Sequence, residues 1–160
     1  MEASSPPELP DDVREEVTRV HLRPTARVAE GRWLGSADGV HALIDLSDGL
    51  ATDLGHIAAE SGVTACVELV RLPVAASAAA VGKALGLDSL RLAVTGGEDY
   101  ELLFTAPPAS MEVLAAGLRS ATGTPVTLIG EIVAGSARVE FRDAAGRVVD
   151  VGSGFEHFHG

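Results

Sequence analysis

The segment Val40–Leu54, VHALIDLSDGLATDL, restricts the fold more than any other part of this 160-residue chain. Its first seven residues are apolar on both faces, as expected of a buried central strand. Ser47-Asp48-Gly49 then breaks the strand. Leu50, Leu54, Ile57 and Ala58 recur at helical spacing, and Gly62 is placed to stop that helix. Strand, tight turn and helix in direct succession call for a layered fold in which the helix packs on a sheet.

The remaining periodicities extend this picture. Asp11–His21 reads as a short helix, broken by Leu22-Arg23-Pro24, and a second helix is expected over Thr25–Leu34. Thr64–Leu69 is a strand and Ala75–Leu85 an Ala-rich helix, while Ser89–Thr95 is ambiguous between the two. Tyr100–Thr105 is a strand ended by Pro107-Pro108, with Ser110 as cap of a helix through about Ala121. Val126–Val133 is another strand. Ala137–Arg142 and Arg147–Val151 form a hairpin across DAAG. The expected class is α/β (α+β): a mixed β-sheet sandwiched with helices. Residues 1–20 read as an acidic, Pro-rich lead-in or linker with a short helix, and 21–160 as the globular domain.

Composition narrows the chemistry. The formal net charge is −11, which repels nucleic acid and anionic membrane. No apolar run has membrane-spanning length, and the start lacks the basic segment and apolar core of a signal peptide. The single cysteine, Cys66, rules out a disulfide within the chain and reads as a buried apolar residue. These features point to the cytoplasm. A chain this acidic can hold phosphates only with a divalent cation or with positive charge from another segment.

Three places carry candidate chemistry. In IDLSDG, Asp45 and Ser47 share one side of the strand end, Asp48 follows at the turn, and a helix N-terminus offers N–H groups to phosphate oxygens. Two carboxylates and a hydroxyl are hard ligands of the kind magnesium prefers. Spacing alone balances this against a plain helix cap. Asp45 tilts the balance, because a carboxylate inside so apolar a strand is costly without a charged partner. In TGGEDYELLF, Gly96 and Gly97 allow close backbone approach, and Glu98 and Asp99 present two acids at the mouth of a strand; solvated acids after a turn are the plainer alternative. In the closing GFEHF, Phe155 is able to cover a flat heterocycle or to pin the C-terminus to the core.

Taken together, IDLSDGLATDL, TGGEDYELLF, IGEI (129–132) and GFEHF resemble the C-terminal domain of the thiamine-monophosphate kinase family, and HLRPTARVAEG (21–31) resembles the stretch leading into it. SDG is shared with the wider superfamily of aminoimidazole ribonucleotide synthetase; GGEDYEL narrows the resemblance. It implies Mg2+-dependent transfer of the γ-phosphoryl of ATP to thiamine monophosphate. By motif, Asp45 and Asp48 take the metal, Ser47 contacts ATP, and Glu98 and Phe155 meet the substrate, with Asp99, Gly96 and Gly97 beside them. No residue is expected to act as a covalent catalyst. The resemblance also implies a homodimer when full length, and an N-terminal ATP- and metal-binding domain that this sequence lacks, so that the chain is expected to be inactive alone. The alternatives are a non-catalytic ligand-binding domain or another ATP-dependent member of the superfamily.

Overall fold

A computed structural model describes residues 9–152. Helix α1 (Asp11–Leu22) and helix α2 (Val28–Ser36) come first. Strand β1 (Ala42–Asp45), helix α3 (Leu50–Ser61) and strand β2 (Val63–Glu68) follow. After a 3-10 turn at Leu69–Arg71 come helices α4 (Ala76–Leu85) and α5 (Ser89–Thr95), strand β3 (Leu102–Thr105) and helix α6 (Pro108–Thr122). Strands β4 (Gly130–Ala134), β5 (Arg138–Arg142) and β6 (Val148–Val149) complete the described chain. The α+β class expected from the sequence is what the structure has.

The strands form two sheets among the described residues. One is a four-stranded mixed sheet in the order β4-β2-β5-β6, with β2 parallel to β5 and the other pairs antiparallel. The other is the antiparallel pair β1-β3. The expectation of a buried central strand at Val40–Leu46 is thus corrected: β1 has one partner strand among the described residues, its first three residues are half-buried, and Asp45 is exposed.

Helix α3 organises the core. Leu50, Leu54 and Ile57 bury one face against Ala65 and Val67 of β2, Val94 of α5 and Phe141 of β5. Its C-terminus is closed by Gly62 in the left-handed region, whose N–H donates to Ala58 and Ala59 carbonyls. The ambiguous Ser89–Thr95 is a helix because the Asp88 carboxylate accepts from the Leu90 and Arg91 N–H groups at its start and Val94 turns inward. Ser110 is not a cap: Pro107 holds that position and Pro108 opens α6, as its fixed φ favours. Strand β4 begins at Gly130 rather than Val126, because its partner β2 ends at Glu68 and turns into the 3-10 segment.

Cys66 is 3% exposed, and burial pushes its thiol pKa up, in keeping with an inert core residue. A second polar element ties the helical layer together. Glu30 of α2 is buried, and its Oε1 accepts a hydrogen bond from the Thr124 hydroxyl at 2.6 Å, just beyond α6. That bond, with Arg27 nearby, holds the Glu30 carboxyl below the usual carboxylate range. A carboxyl depressed in the folded state contributes stability above its unfolded pKa and loses it as pH falls through the folded value. Thr124→Ala is therefore expected to cost about 1–2 kcal/mol at pH 7. In urea titrations the penalty of Glu30→Gln is expected to shrink as pH falls below that of an ordinary glutamate. A penalty unchanged between neutral and acid pH would show that the charge of Glu30 does not matter.

Candidate functional site

The two glycine-containing motifs meet through their backbones. The β1-β3 register pairs Asp45 with Leu102, and the pairing runs on past the regular strands. The Leu46 N–H donates to the Glu101 carbonyl at 2.9 Å, the Tyr100 N–H to the Leu46 carbonyl at 2.8 Å, and the Glu98 N–H to the Ser47 carbonyl at 2.8 Å. GGEDY thus lies along LSDG. The approach leaves room for glycine only: a Cβ at Gly97 would stand 2.6 Å from the Ser47 carbonyl oxygen, and one at Gly49 2.7 Å from that of Gly96. Gly49 also has φ of 102°, which a side chain would strain.

Inside the turn sits a carboxylate that sequence reasoning missed. Asp53, in the first turn of α3, is 3% exposed. Its Oδ2 accepts the Ser47 N–H at 3.0 Å and the Asp48 N–H at 3.1 Å. A buried anion is costly in isolation, but two N–H donors and the positive end of the helix offset that cost. Asp53 therefore shapes the LSDG turn from behind. Gly49, not Asp48, occupies the N-cap position of α3, and Asp48 stands one residue before it.

Ligand atoms of Asp48, Asp53 and His56 lie within 4.8 Å of one another, a group able to hold a cation. Asp48 is half-buried and His56 exposed. The sequence signal for the two missed members is their spacing: Asp53 and His56 are three apart, on one face of α3, and Asp53 adjoins the buried Leu54. Asp45 does not belong to this group and lies at the exposed end of β1. Asp45 is not buried and needs no charged partner on that account: Ile44 and Leu46 on either side pack against the core, while Asp45 lies on the opposite, exposed face of the strand.

Glu98 and Asp99 stand on the other loop. Glu98 is exposed, with φ of 69°, and its Oε2 lies 3.7 Å from His21 Nδ1. Asp99 faces water on one side, yet the protein atoms crowding its carboxyl push its pKa up to about 6, with the charges of Glu101 and Asp53 adding to the rise. Gly96 and Gly97 lie at the contact between loops. Ser47 is half-buried beside Asp48. Phe155 falls outside the described residues. The structure therefore brings Ser47, Asp48, Gly96 and Gly97 together with Asp53.

Residues 3–142 match the family model described as AIR synthase related protein, C-terminal domain. The thiamine-monophosphate kinase of Haemophilus influenzae is 42% identical over 142 residues, covering 86% of this chain and 42% of that protein. The crystal structure of thiamine-monophosphate kinase from Stenotrophomonas maltophilia superposes with a TM-score of 0.69 at 40% identity, over 80% of this chain and 39% of that one. A solved structure described as AaThiL complexed with AMPPCP and TMP superposes with a TM-score of 0.70 at 28% identity, over 99% of this chain and 44% of that one. The chain spans about two fifths of the length of the relatives it matches.

Two outcomes test this geometry. Asp53→Ala is expected to speed amide hydrogen exchange at Ser47 and Asp48 by about tenfold or more and to cost about 1–3 kcal/mol by leaving two donors without their acceptor. Unchanged exchange at both amides would remove Asp53 from the turn. The Asp99 carboxyl, raised from 3.8 to about 6, keeps its proton in the folded chain across a window where the unfolded chain has lost it. Stability from this group is therefore lost as pH rises from about 4 to about 6. Melting curves are expected to show Asp99→Asn gaining on the parent across that window; a constant difference would mean that Asp99 titrates normally.

Proposed function

Because the chain belongs to the family of AIR synthase related proteins, as their C-terminal domain, we propose that it is the C-terminal portion of a thiamine-monophosphate kinase. In this reading it forms one wall of a site where ATP phosphorylates thiamine monophosphate to thiamine diphosphate. The observation that carries the proposal is the backbone-locked meeting of LSDG and GGEDY beside Asp48, Asp53 and His56. It is supported by relatives named thiamine-monophosphate kinase and by a related structure bearing AMPPCP and TMP.

The donor set fits a divalent cation. Two carboxylates suit magnesium, whereas the imidazole suits transition metals better. Asp48 and Asp53 are the residues assigned to hold Mg2+, with Asp45 a further acid at the strand end. When bound, the ion neutralises phosphate charge, which the carboxylates alone cannot do. The chain's own residues then orient the reactants. Ser47 and the first-turn N–H groups of α3 face phosphate oxygens. Glu98 meets the thiamine part of the substrate, Asp99 stands beside it, and Phe155 packs on its ring system. Phosphoryl transfer depends on alignment and charge stabilisation more than on covalent help, so no nucleophilic side chain is assigned. The N-terminal half of the family's enzymes supplies the remaining acids and the homodimer contact. No helix among the described residues is long and apolar enough to cross a membrane, and a cytoplasmic setting belongs to the same proposal.

The test is formation of thiamine diphosphate from thiamine monophosphate, ATP and Mg2+, with a separately produced N-terminal half added where the chain shows no turnover alone. Asp48→Asn is expected to lower turnover about 100-fold, the scale for losing one preorganised electrostatic group, and to leave the urea midpoint nearly unchanged. No product under either condition would overturn the kinase assignment. Loss of folding with full activity per folded molecule would make Asp48 structural.

A further inference from the structure

Arg27 stands at the N-cap position of α2, 74 residues from the loop it grips. Its Nε donates to Glu101 Oε2 at 2.9 Å and its Nη2 to Glu101 Oε1 at 2.6 Å. This is the two-point fork that guanidinium makes with carboxylate and that lysine cannot reproduce. Exposed ion pairs contribute little; here the Arg27 side chain is 26% and that of Glu101 51% exposed, so the hold rests on the two-point fork geometry rather than on burial. Its third arm lies 3.5 Å from Glu30, which is itself held by Thr124. The pairing with Glu101 raises the guanidinium pKa still further.

Glu101 is the foot of the GGEDY loop. Its carbonyl takes the Leu46 N–H, and β3 begins at the next residue. Above it the loop is strained: Glu98 and Tyr100 have φ of 69° and 52°, in the left-handed region that non-glycine residues rarely occupy. Such strain persists only where surrounding structure over-determines it. On one side the determinants are the bonds to Leu46 and Ser47. On the other, the hold on Glu101 comes from Arg27.

We propose that Arg27 is a positioning residue: through Glu101 it clamps the strained Gly96–Tyr100 loop against the LSDG turn and so sets where Glu98 meets the substrate. This rests on the reading of Glu98 as a contact to the thiamine part of thiamine monophosphate. Arg27 touches no reacting group. It carries order from the helical layer, via Glu30 and α6, to the substrate side of the site.

The experiment has two arms, run on Arg27→Ala, Arg27→Lys, Glu101→Gln and the Arg27→Ala/Glu101→Gln double variant. In the first, hydrogen exchange on the chain itself is expected to rise about tenfold or more at the Leu46, Glu98 and Tyr100 amides, with Cys66 and Val67 in the β2 ladder unchanged. In the second, kinetics of the protein carrying this chain are expected to show KM for thiamine monophosphate raised about tenfold and KM for ATP within about twofold. The double variant is expected to be no worse than Arg27→Ala, and Arg27→Lys to fall between parent and alanine. Exchange rising equally throughout the chain, equal rises in both KM values, or additive effects in the double variant would overturn the proposal. If the parent shows no turnover even with the N-terminal half present, the kinase reading fails, and the exchange arm alone decides whether the clamp exists.

Discussion

The antiparallel register of β1 and β3 is the constraint on which the rest of the site depends. Each strand is only four residues long, yet the pairing does not stop at their ends. It continues through Leu46 and Ser47 on one side and Glu101, Tyr100 and Glu98 on the other. Two segments about fifty positions apart in the chain are thereby fixed against each other by backbone bonds, independent of their side chains. A one-residue slip would turn every side chain to the opposite face and would drive Gly97 and Gly49 out of the only places where their backbones fit.

Around that frame the electrostatics are deliberately unfavourable. Asp48, Asp53, Asp99 and Glu101 crowd one region of a chain already carrying a net charge of −11. Asp53 accepts two backbone N–H groups, whereas the Asp99 carboxyl is pushed up to about 6, first by desolvation and then by the charges of Glu101 and Asp53. A concentration of acids that the fold itself does not fully neutralise suits a site whose partners are a cation and the phosphates it screens. Arg27, by contrast, spends its charge on holding Glu101 and Glu30 in place.

Much of this was legible in the sequence, for identifiable reasons. The strand-turn-helix of Ala42–Ser61 announced itself through apolar periodicity and through Gly49 and Gly62, and the Arg138–Val149 hairpin through DAAG. The status of β1 was not legible, because an apolar run looks the same whether it lies in the middle of a sheet or in a two-stranded pair half-covered by helices. Asp45 was misjudged for that reason. Asp53 was overlooked because a single acid in the first turn of a helix usually signals a favourable dipole contact, and nothing local shows that it folds back on Ser47 and Asp48. Arg27 and Glu101 had no sequence signal at all, since their pairing spans 74 residues and exists only once α2 and β3 are packed.

The central claim, that the two loops form one wall of a single cation and phosphate site, is tested most directly by paramagnetic broadening. Mn2+ is titrated into the isotopically labelled chain, and the amide signals that fade first are mapped by NMR. The account predicts early, simultaneous loss at Ser47–His56 and at Gly96–Glu101, reversed by excess Mg2+. Loss confined to the acidic start of α1, or at one loop without the other, would contradict it.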